Sequence, residues 1–233
     1  MTSLQGKERA AYVQNMFDRI AFRYNIMNRV MTAGQDMKWR RFMIEKARLS
    51  SGDRLLDLAT GTGDVAFEAL RMVPGVQAFG GDFSLGMMFV GQKEPLGPQV
   101  RWNGADALNL PFPAETFDAL TAAYLMRNVI DIPRGFAEQM RVLKPGGRLV
   151  ILDTSPPPNN ILRPFIVGYL KYGLPLLGRL IAGNSDAYTY LPESTQKFKT
   201  PDQLAALMRE AGFRNVQYKT FMFGTMAVHW AEK

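Results

Sequence analysis

The residues with the clearest capacity for chemistry lie in "LLDLATGTGD", Leu55 to Asp64. An apolar run ends near Asp57 and enters a turn carrying Gly61 and Gly63, after which Asp64 opens a helical pattern. Glycines so placed let backbone N–H groups approach a bound ligand closely. Gly61, Gly63 and Ala66 also satisfy the dinucleotide spacing G-x-G-x-x-G/A, and an acidic residue, Asp82, follows about twenty residues on. The turn therefore holds either a pyrophosphate or a ligand of different charge.

Charge separates the two. Asp57 and Asp64 bracket the glycines. A carboxylate about 4 Å from a phosphate, at intermediate dielectric, costs on the order of 4 kcal/mol. A cationic ligand reverses that sign. S-adenosyl-L-methionine carries a sulfonium and an ammonium but no phosphate, so the pattern favours it over NAD. A Walker-type phosphate loop is excluded by the missing Gly-Lys-Ser/Thr. Asp82, closing a second apolar run in "GGDFS", is placed to accept from both ribose hydroxyls. Asp106 and Ala107, in "GADALNLPF", fall where adenine would meet a carboxylate and a backbone N–H. Thr62, between the glycines, and Phe83, after Asp82, complete the candidate donor contacts.

These residues need elements to bring them together. From Gly52 on, "DRLLDLA", "VQAFGGD", "QVRWNGAD", "FDALTAAYL" and "GGRLVILDTS" read as strands. Helical patterns such as "DVAFEALRM" and "DIPRGFAEQMRVL" alternate with most of them, and the turn "KPGG" precedes the fifth. The rhythm predicts a doubly wound α/β domain with a seven-stranded, mostly parallel sheet. A terminal hairpin, "NVQYKTFMFGTMAVHW", adds an antiparallel strand at the sheet's end. Ligands of such sheets bind at the carboxyl ends of the strands, where strand order reverses.

Before the sheet, two helices broken at "AGQD" carry Phe17, Ile20, Tyr24, Met27 and Met31 at helical spacing. After the fifth strand, "NNILRPFIVGYLKYGLPLLGRLIAG" is apolar for its length but interrupted by Arg163, Lys171, Arg179, Pro164 and Pro175. It fails as a membrane span and reads as an amphipathic insertion. Such an insertion packs over the sheet edge, or faces an apolar substrate or membrane surface. The predicted organisation is one unit, 1–233. It comprises a helical cap (1–50), a donor-binding core (51–155), the insertion (156–199) and a terminal helix and hairpin (200–233).

Composition narrows the chemistry. Across 233 residues, 47% hydrophobic and 21% charged, there is no cysteine. That excludes a disulfide framework, a thiolate zinc site and a cysteine nucleophile, and no metal is expected. The N-terminus has no apolar run resembling a secretory signal, which suggests the cytoplasm. A net charge of +7 favours anionic partners, nucleic acid or an anionic membrane face. An RNA methyltransferase is the first rival reading. Against it, no Asn/Asp-Pro-Pro-Tyr/Phe follows the fourth strand.

Along nearly its whole length the chain resembles the ubiquinone/menaquinone-biosynthesis C-methyltransferases, and most closely their demethylmenaquinone members. The resemblance is carried by "MFDRIAFRYNIMNRVMTAGQDMKWR", "LLDLATGTGD", "LPFPAETFDALTAAYLMRNVIDI", "RVLKPGGRLVILDTSPP", "YLPESTQKF" and "LMREAGF", in family order. Two segments depart from it: Tyr124-Leu125 stands where the family has a Phe-Gly pair, and Asp153-Thr154-Ser155 where it has Glu-Phe-Ser. The histidine of the N-terminal signature is also replaced within "QDMKWR".

The resemblance implies a Rossmann-like class I fold and S-adenosyl-L-methionine as methyl donor. The acceptor is a ring carbon of a prenylated quinol, foremost demethylmenaquinol giving menaquinol; a benzoquinol of ubiquinone biosynthesis is the alternative. A non-enzymatic subunit of a quinone-biosynthesis assembly is a further rival. Arg127 and Asn128 belong to the quinol site by that resemblance. Arg127 would stabilise the developing phenolate or orient a water, Asn128 would bind the hydroxyl, and Tyr24 would help close the site. His229, on the last strand, is read as structural. The implied partners are the prenylated quinol, a membrane surface touched transiently at the cell membrane's inner face and, as an open option, a second copy in a homodimer. Nucleic acid is not among them.

Overall fold

The computed structural model describes residues 6–173, 176 and 186–233. Seven strands form one sheet: β1 (Arg54–Leu58), β2 (Gln77–Asp82), β3 (Arg101–Gly104), β4 (Phe117–Ala123), β5 (Leu143–Thr154), β6 (Arg214–Phe221) and β7 (Met226–Glu232). Their order is β3-β2-β1-β4-β5-β7-β6, with β1 to β5 mutually parallel and β7 antiparallel to both neighbours. Strand order reverses between β1 and β4, which opens the binding crevice there. Leu55, Leu56, Leu120, Leu149 and Ile151 are wholly buried, as strands covered on both faces require.

The terminal hairpin supplies the antiparallel strand at the sheet's end, as expected, and the structure adds which arm pairs with the core. β7 lies between β5 and β6, which is the outermost strand. The cause is legible in the side chains. Met226 to His229 are all buried and need neighbours on both sides. β6, "RNVQYKTF", is exposed along most of its length and tolerates the edge. "KPGG" is likewise drawn into the start of β5, beside a register shift opposite β4 between Phe117 and Ala119.

Two helices precede the sheet: α1 (Gly6–Met31) and α2 (Gln35–Ala47). Ala33 and Gly34, at φ 49° and 73°, break the chain between them. α2 buries Trp39, Met43 and Ile44 against Leu55, Val65, Leu152 and Val228. α3 (Asp64–Met72), α4 (Leu85–Gln92) and α5 (Ile132–Val142) follow β1, β2 and β4. α1 packs chiefly on α4 and on α7 (Asp186–Lys197), so it lies over the donor edge and the insertion together. The insertion begins with α6 (Arg163–Gly168), which continues as a π-helical turn, Tyr169–Gly173. Its centre, with Pro175 and Arg179, lies outside the described residues. α8 (Pro201–Glu210) starts at a capping box between Thr200 and Gln203.

Candidate active site

Gly61 and Gly63 take φ of +57° and +89°, conformations that favour glycine. A Cβ on Gly63 would stand 2.7 Å from the Trp102 ring and 2.8 Å from Phe67. The turn so formed aims the Gly61 N–H at Asp82 Oδ2, 2.7 Å away. The other oxygen of Asp82 accepts from the Ser84 N–H at 2.7 Å. Burial raises the Asp82 carboxyl to about 6, partly offset by these N–H donors. Phe83, next to it, is 47% exposed. The Ala105 N–H donates to the Asp82 carbonyl at 2.9 Å, which brings Asp106 and Ala107 to the same strand ends. Asp106 is exposed and accepts from the Leu108 N–H, while Ala107 packs against the core.

Two acidic residues behave otherwise than the sequence implies. Asp57 is buried beneath the turn, where it accepts from Thr60 Oγ1 at 2.7 Å and Thr121 Oγ1 at 2.8 Å. Burial raises its carboxyl to about 6. It braces the turn from below. Asp64 Oδ2 lies 2.7 Å from Arg40 Nη1 and 3.7 Å from Arg29 Nη2. The same arginines also pair with buried Asp36. The negative charge set against a pyrophosphate is thus largely neutralised within the fold. Of the acidic residues around the turn, Asp82 is the one whose carboxylate is held at the strand end by backbone N–H groups alone.

α1 fastens to this region at several points. Gln14 Nε2 donates to the Phe83 carbonyl at 2.8 Å, and Asp18 accepts from Ser84 Oγ and the Gly86 N–H. Thr62 Oγ1 donates to Asn25 Oδ1 at 2.8 Å.

The other face of α1 lines a cavity of about 420 Å³. Its walls are mainly apolar: Met16, Ile20, Phe165, Leu170, Leu191 and Met226 among others. The stripe of Phe17, Ile20, Tyr24, Met27 and Met31 all contributes to it. Polar groups are few, chiefly Tyr24, Asn28, Arg127, Tyr190 and four threonines. An apolar chamber of this size with a few fixed polar groups is the usual form of a small-molecule site.

Arg127 follows β4 in a 3-10 turn, Met126–Asn128. Its Nη1 donates to Asp153 Oδ1 at 2.7 Å, and its backbone N–H donates to Asp153 Oδ2 at 3.1 Å. The guanidinium also lies over the Tyr124 ring, 5.3 Å from its centre. Asp153 raises the Arg127 pKa further against burial, so the group is a permanent cation. Burial raises the Tyr24 phenol as well. Asn28 is buried next to it, and its Nδ2 makes no well-formed hydrogen bond to the protein.

Asn128 is not a wall of the cavity. Its Nδ2 donates to the Tyr124 carbonyl at 3.0 Å, and its Oδ1 accepts from Tyr190 Oη at 2.9 Å. Both ends of the amide are therefore engaged, and Tyr190 takes the place at the wall expected of Asn128. Leu125, at φ −90°, lies in ordinary helical space, so the residue replacing glycine carries no strain there. His229 donates from Nε2 to the Pro201 carbonyl at 2.9 Å on β7 and does not line the cavity. Burial lowers its pKa.

Sequence reasoning missed Asn28, Tyr190 and Asp153 as members of the site. Tyr190 lies in "YLPES" and Asp153 in "DTS", where residue type and spacing alone signal no role in the site.

The family model described as the ubiE/COQ5 methyltransferase family matches residues 4–233. A ubiquinone/menaquinone biosynthesis C-methyltransferase of Desulfotalea psychrophila is 51% identical over 95% of this chain and 90% of its own length. A demethylmenaquinone methyltransferase of Thermus thermophilus is 43% identical over 94% of this chain and 100% of its own. Among solved structures, the cyclase SpnF aligns with a TM-score of 0.69 at 18% identity, covering 95% of this chain and 94% of that one. Phosphoethanolamine N-methyltransferase 2 of Haemonchus contortus, in complex with S-adenosyl-L-methionine, aligns with a TM-score of 0.63 at 16% identity. It covers 84% of this chain and 52% of its own. These two likenesses concern the fold alone.

Proposed function

The chain belongs to the ubiE/COQ5 methyltransferase family, and we propose that it methylates a ring carbon of a prenylated quinol, converting demethylmenaquinol to menaquinol. The observation that carries this reading is a buried arginine, clamped by Asp153, in the wall of a mainly apolar cavity. The helix lining that cavity is hydrogen-bonded to the glycine turn through Asn25 and Thr62. Donor and acceptor sites therefore share one wall.

The donor residues fit S-adenosyl-L-methionine. The Asp82 carboxylate suits ribose hydroxyls, exposed Phe83 and the Asp106–Ala107 loop suit adenine, and the peptides of Gly61 to Gly63 suit the methionyl part. Arg29 and Arg40, which could otherwise attract phosphate, are directed at Asp64. When bound, the donor supplies an electrophilic methyl on a sulfonium.

The chain's own residues must make the ring carbon nucleophilic. A quinol carbon attacks well only when the adjacent hydroxyl is ionised or nearly so. Arg127, a fixed cation in the wall of a mainly apolar cavity, favours that phenolate. Tyr24 and Asn28, in the same wall, supply neutral donors to the same ring. The ring carbon gains the methyl as its bond to sulfur breaks, leaving S-adenosylhomocysteine; the carbon then loses its hydrogen as a proton to water, restoring aromaticity. Arg127 is not the base, because guanidinium keeps its proton.

A prenyl tail lies in the bilayer, and the cavity's surroundings suit collection there. Ile161, Phe165, Tyr172 and Phe223 are 87%, 76%, 69% and 72% exposed, and Phe165 and Phe223 also line the cavity. Arg163 and Lys171 lie alongside in sequence. Among the described residues no helix is long and apolar enough to cross a membrane, so the contact proposed is peripheral.

The test is the quinone content, by mass spectrometry, of a menaquinone-making bacterium whose own enzyme is deleted and replaced by this chain. Demethylmenaquinone should disappear and menaquinone return. An unchanged profile would refute the assignment, and methylation of a benzoquinone instead would redirect it.

A further inference from the structure

We propose that Tyr190 reads the redox state of the acceptor ring, accepting a hydrogen bond from a quinol hydroxyl and disfavouring the oxidised quinone. This rests on the quinol reading above and adds to it a specificity-determining residue.

Hydrogen bonds of fixed polarity lead to that role. The Tyr124 carbonyl can only accept, so the group 3.0 Å from it must be the NH₂ of Asn128. That fixes the amide and turns Oδ1 towards Tyr190 Oη, 2.9 Å away. An amide oxygen also only accepts, so the phenol proton of Tyr190 is directed at Asn128. What Tyr190 can offer to the cavity it lines is its lone pairs. A side chain able to donate or accept has been restricted to accepting.

The same cavity also offers donors. Arg127 is a cation, and Asn28, beside Tyr24, carries an amide NH₂. The two kinds of group match the two oxygens of a 1,4-quinol monoanion. One oxygen carries charge and needs donors; the other keeps its hydrogen and needs an acceptor. An oxidised quinone has two carbonyl oxygens and no O–H. Placed in the same pose, it sets lone pairs against lone pairs at Tyr190. A buried polar group left without a partner is costly, and sites built around a substrate hydroxyl reject analogues lacking it. Only the reduced ring is nucleophilic, so a bound quinone would block the site without reacting.

The experiment is equilibrium binding to the full chain saturated with S-adenosylhomocysteine, which has no methyl to transfer. The probe is 2-prenyl-1,4-naphthoquinone with a single isoprene unit, used under argon in its oxidised and dithionite-reduced forms. Wild type should bind the reduced form about tenfold more tightly. In Tyr190→Phe the ratio should fall to about twofold or less through weaker quinol binding, with S-adenosylhomocysteine affinity unchanged. In Asn128→Ala the phenol proton is released, Tyr190 can donate to a carbonyl, and the ratio should fall through tighter quinone binding. General loosening of the pocket would weaken both forms alike. A wild type that binds both forms equally would overturn the proposal, as would both variants keeping the wild-type ratio. Failure of wild type to bind either form would overturn the quinol reading as well.

Discussion

Arg127 and Asp153 are joined twice: the guanidinium reaches one carboxylate oxygen at 2.7 Å, and the backbone N–H reaches the other at 3.1 Å. Arg127 lies in the turn that follows β4, and Asp153 lies near the end of the neighbouring strand β5. Both are buried, so each loses hydration that the pair only partly restores. What the arrangement secures is a cation held at one place in the cavity wall.

Arg127→Ala should therefore lower turnover by about 10²–10³, the usual loss for one electrostatic donor to developing charge. Donor affinity, measured calorimetrically, should change little. Equal losses in both would make Arg127 structural. Asp153→Asn should retain donor binding but reduce both stability and turnover, because a buried arginine then lacks its counter-charge.

Asp82 gives a pH dependence with a definite sign. Burial raises its carboxyl from 3.8 to about 6, and only the ionised form accepts fully from two hydroxyls. Donor affinity should rise as pH climbs through about 6 and level off above it. Calorimetry on Asp82→Asn should show weaker binding and a flat profile. An unchanged profile would move the titration elsewhere.

Asp57 predicts a stability effect by the same cause. Its folded carboxyl titrates near 6 against 3.8 for the free group, so the native state binds more protons between those values. Stability should fall as pH rises through that window, the sign linkage requires for a raised carboxyl. Denaturant titrations of Asp57→Asn should show the slope reduced. A slope that persists would exclude Asp57 as its source.

The network of Arg29, Asp36, Arg40 and Asp64 ties the α1–α2 junction to the start of α3. Arg40→Ala removes one cation from a fully buried Asp36 and should cost about 3–5 kcal/mol of stability. A denaturation midpoint equal to wild type would show that Arg29 alone suffices.

Much of the fold was legible because strand and helix periods alternate from Leu55 to Phe221. The position of β7 was not, since a hairpin reads the same whichever arm faces the sheet; burial of Met226 to His229 decides it. The donor turn and Asp82 were legible as residue types at strand ends. The pairing of Asp64 with Arg40 was not, because the partners lie on different helices and meet only in the fold. Asn128 was legible as important but not in its contact. Tyr190 lies 62 residues away from it, and the two meet only in the fold.

Membrane contact should be reversible and salt-sensitive. Each basic residue near an anionic leaflet adds about 1 kcal/mol, lost beyond a Debye length. Arg163→Glu/Lys171→Glu should reduce co-sedimentation with anionic liposomes while leaving weak binding to neutral ones. Indifference of wild type to lipid charge and salt would mean that another partner delivers the substrate.

The most direct test of the central claim is methyl transfer itself, with purified protein, methyl-deuterated S-adenosyl-L-methionine and a short-tailed demethylmenaquinol under argon. Mass spectrometry should find the labelled methyl on the ring carbon next to a hydroxyl, and no product should form from the oxidised quinone. Absence of labelled product from the quinol, or a label on oxygen, would contradict the account.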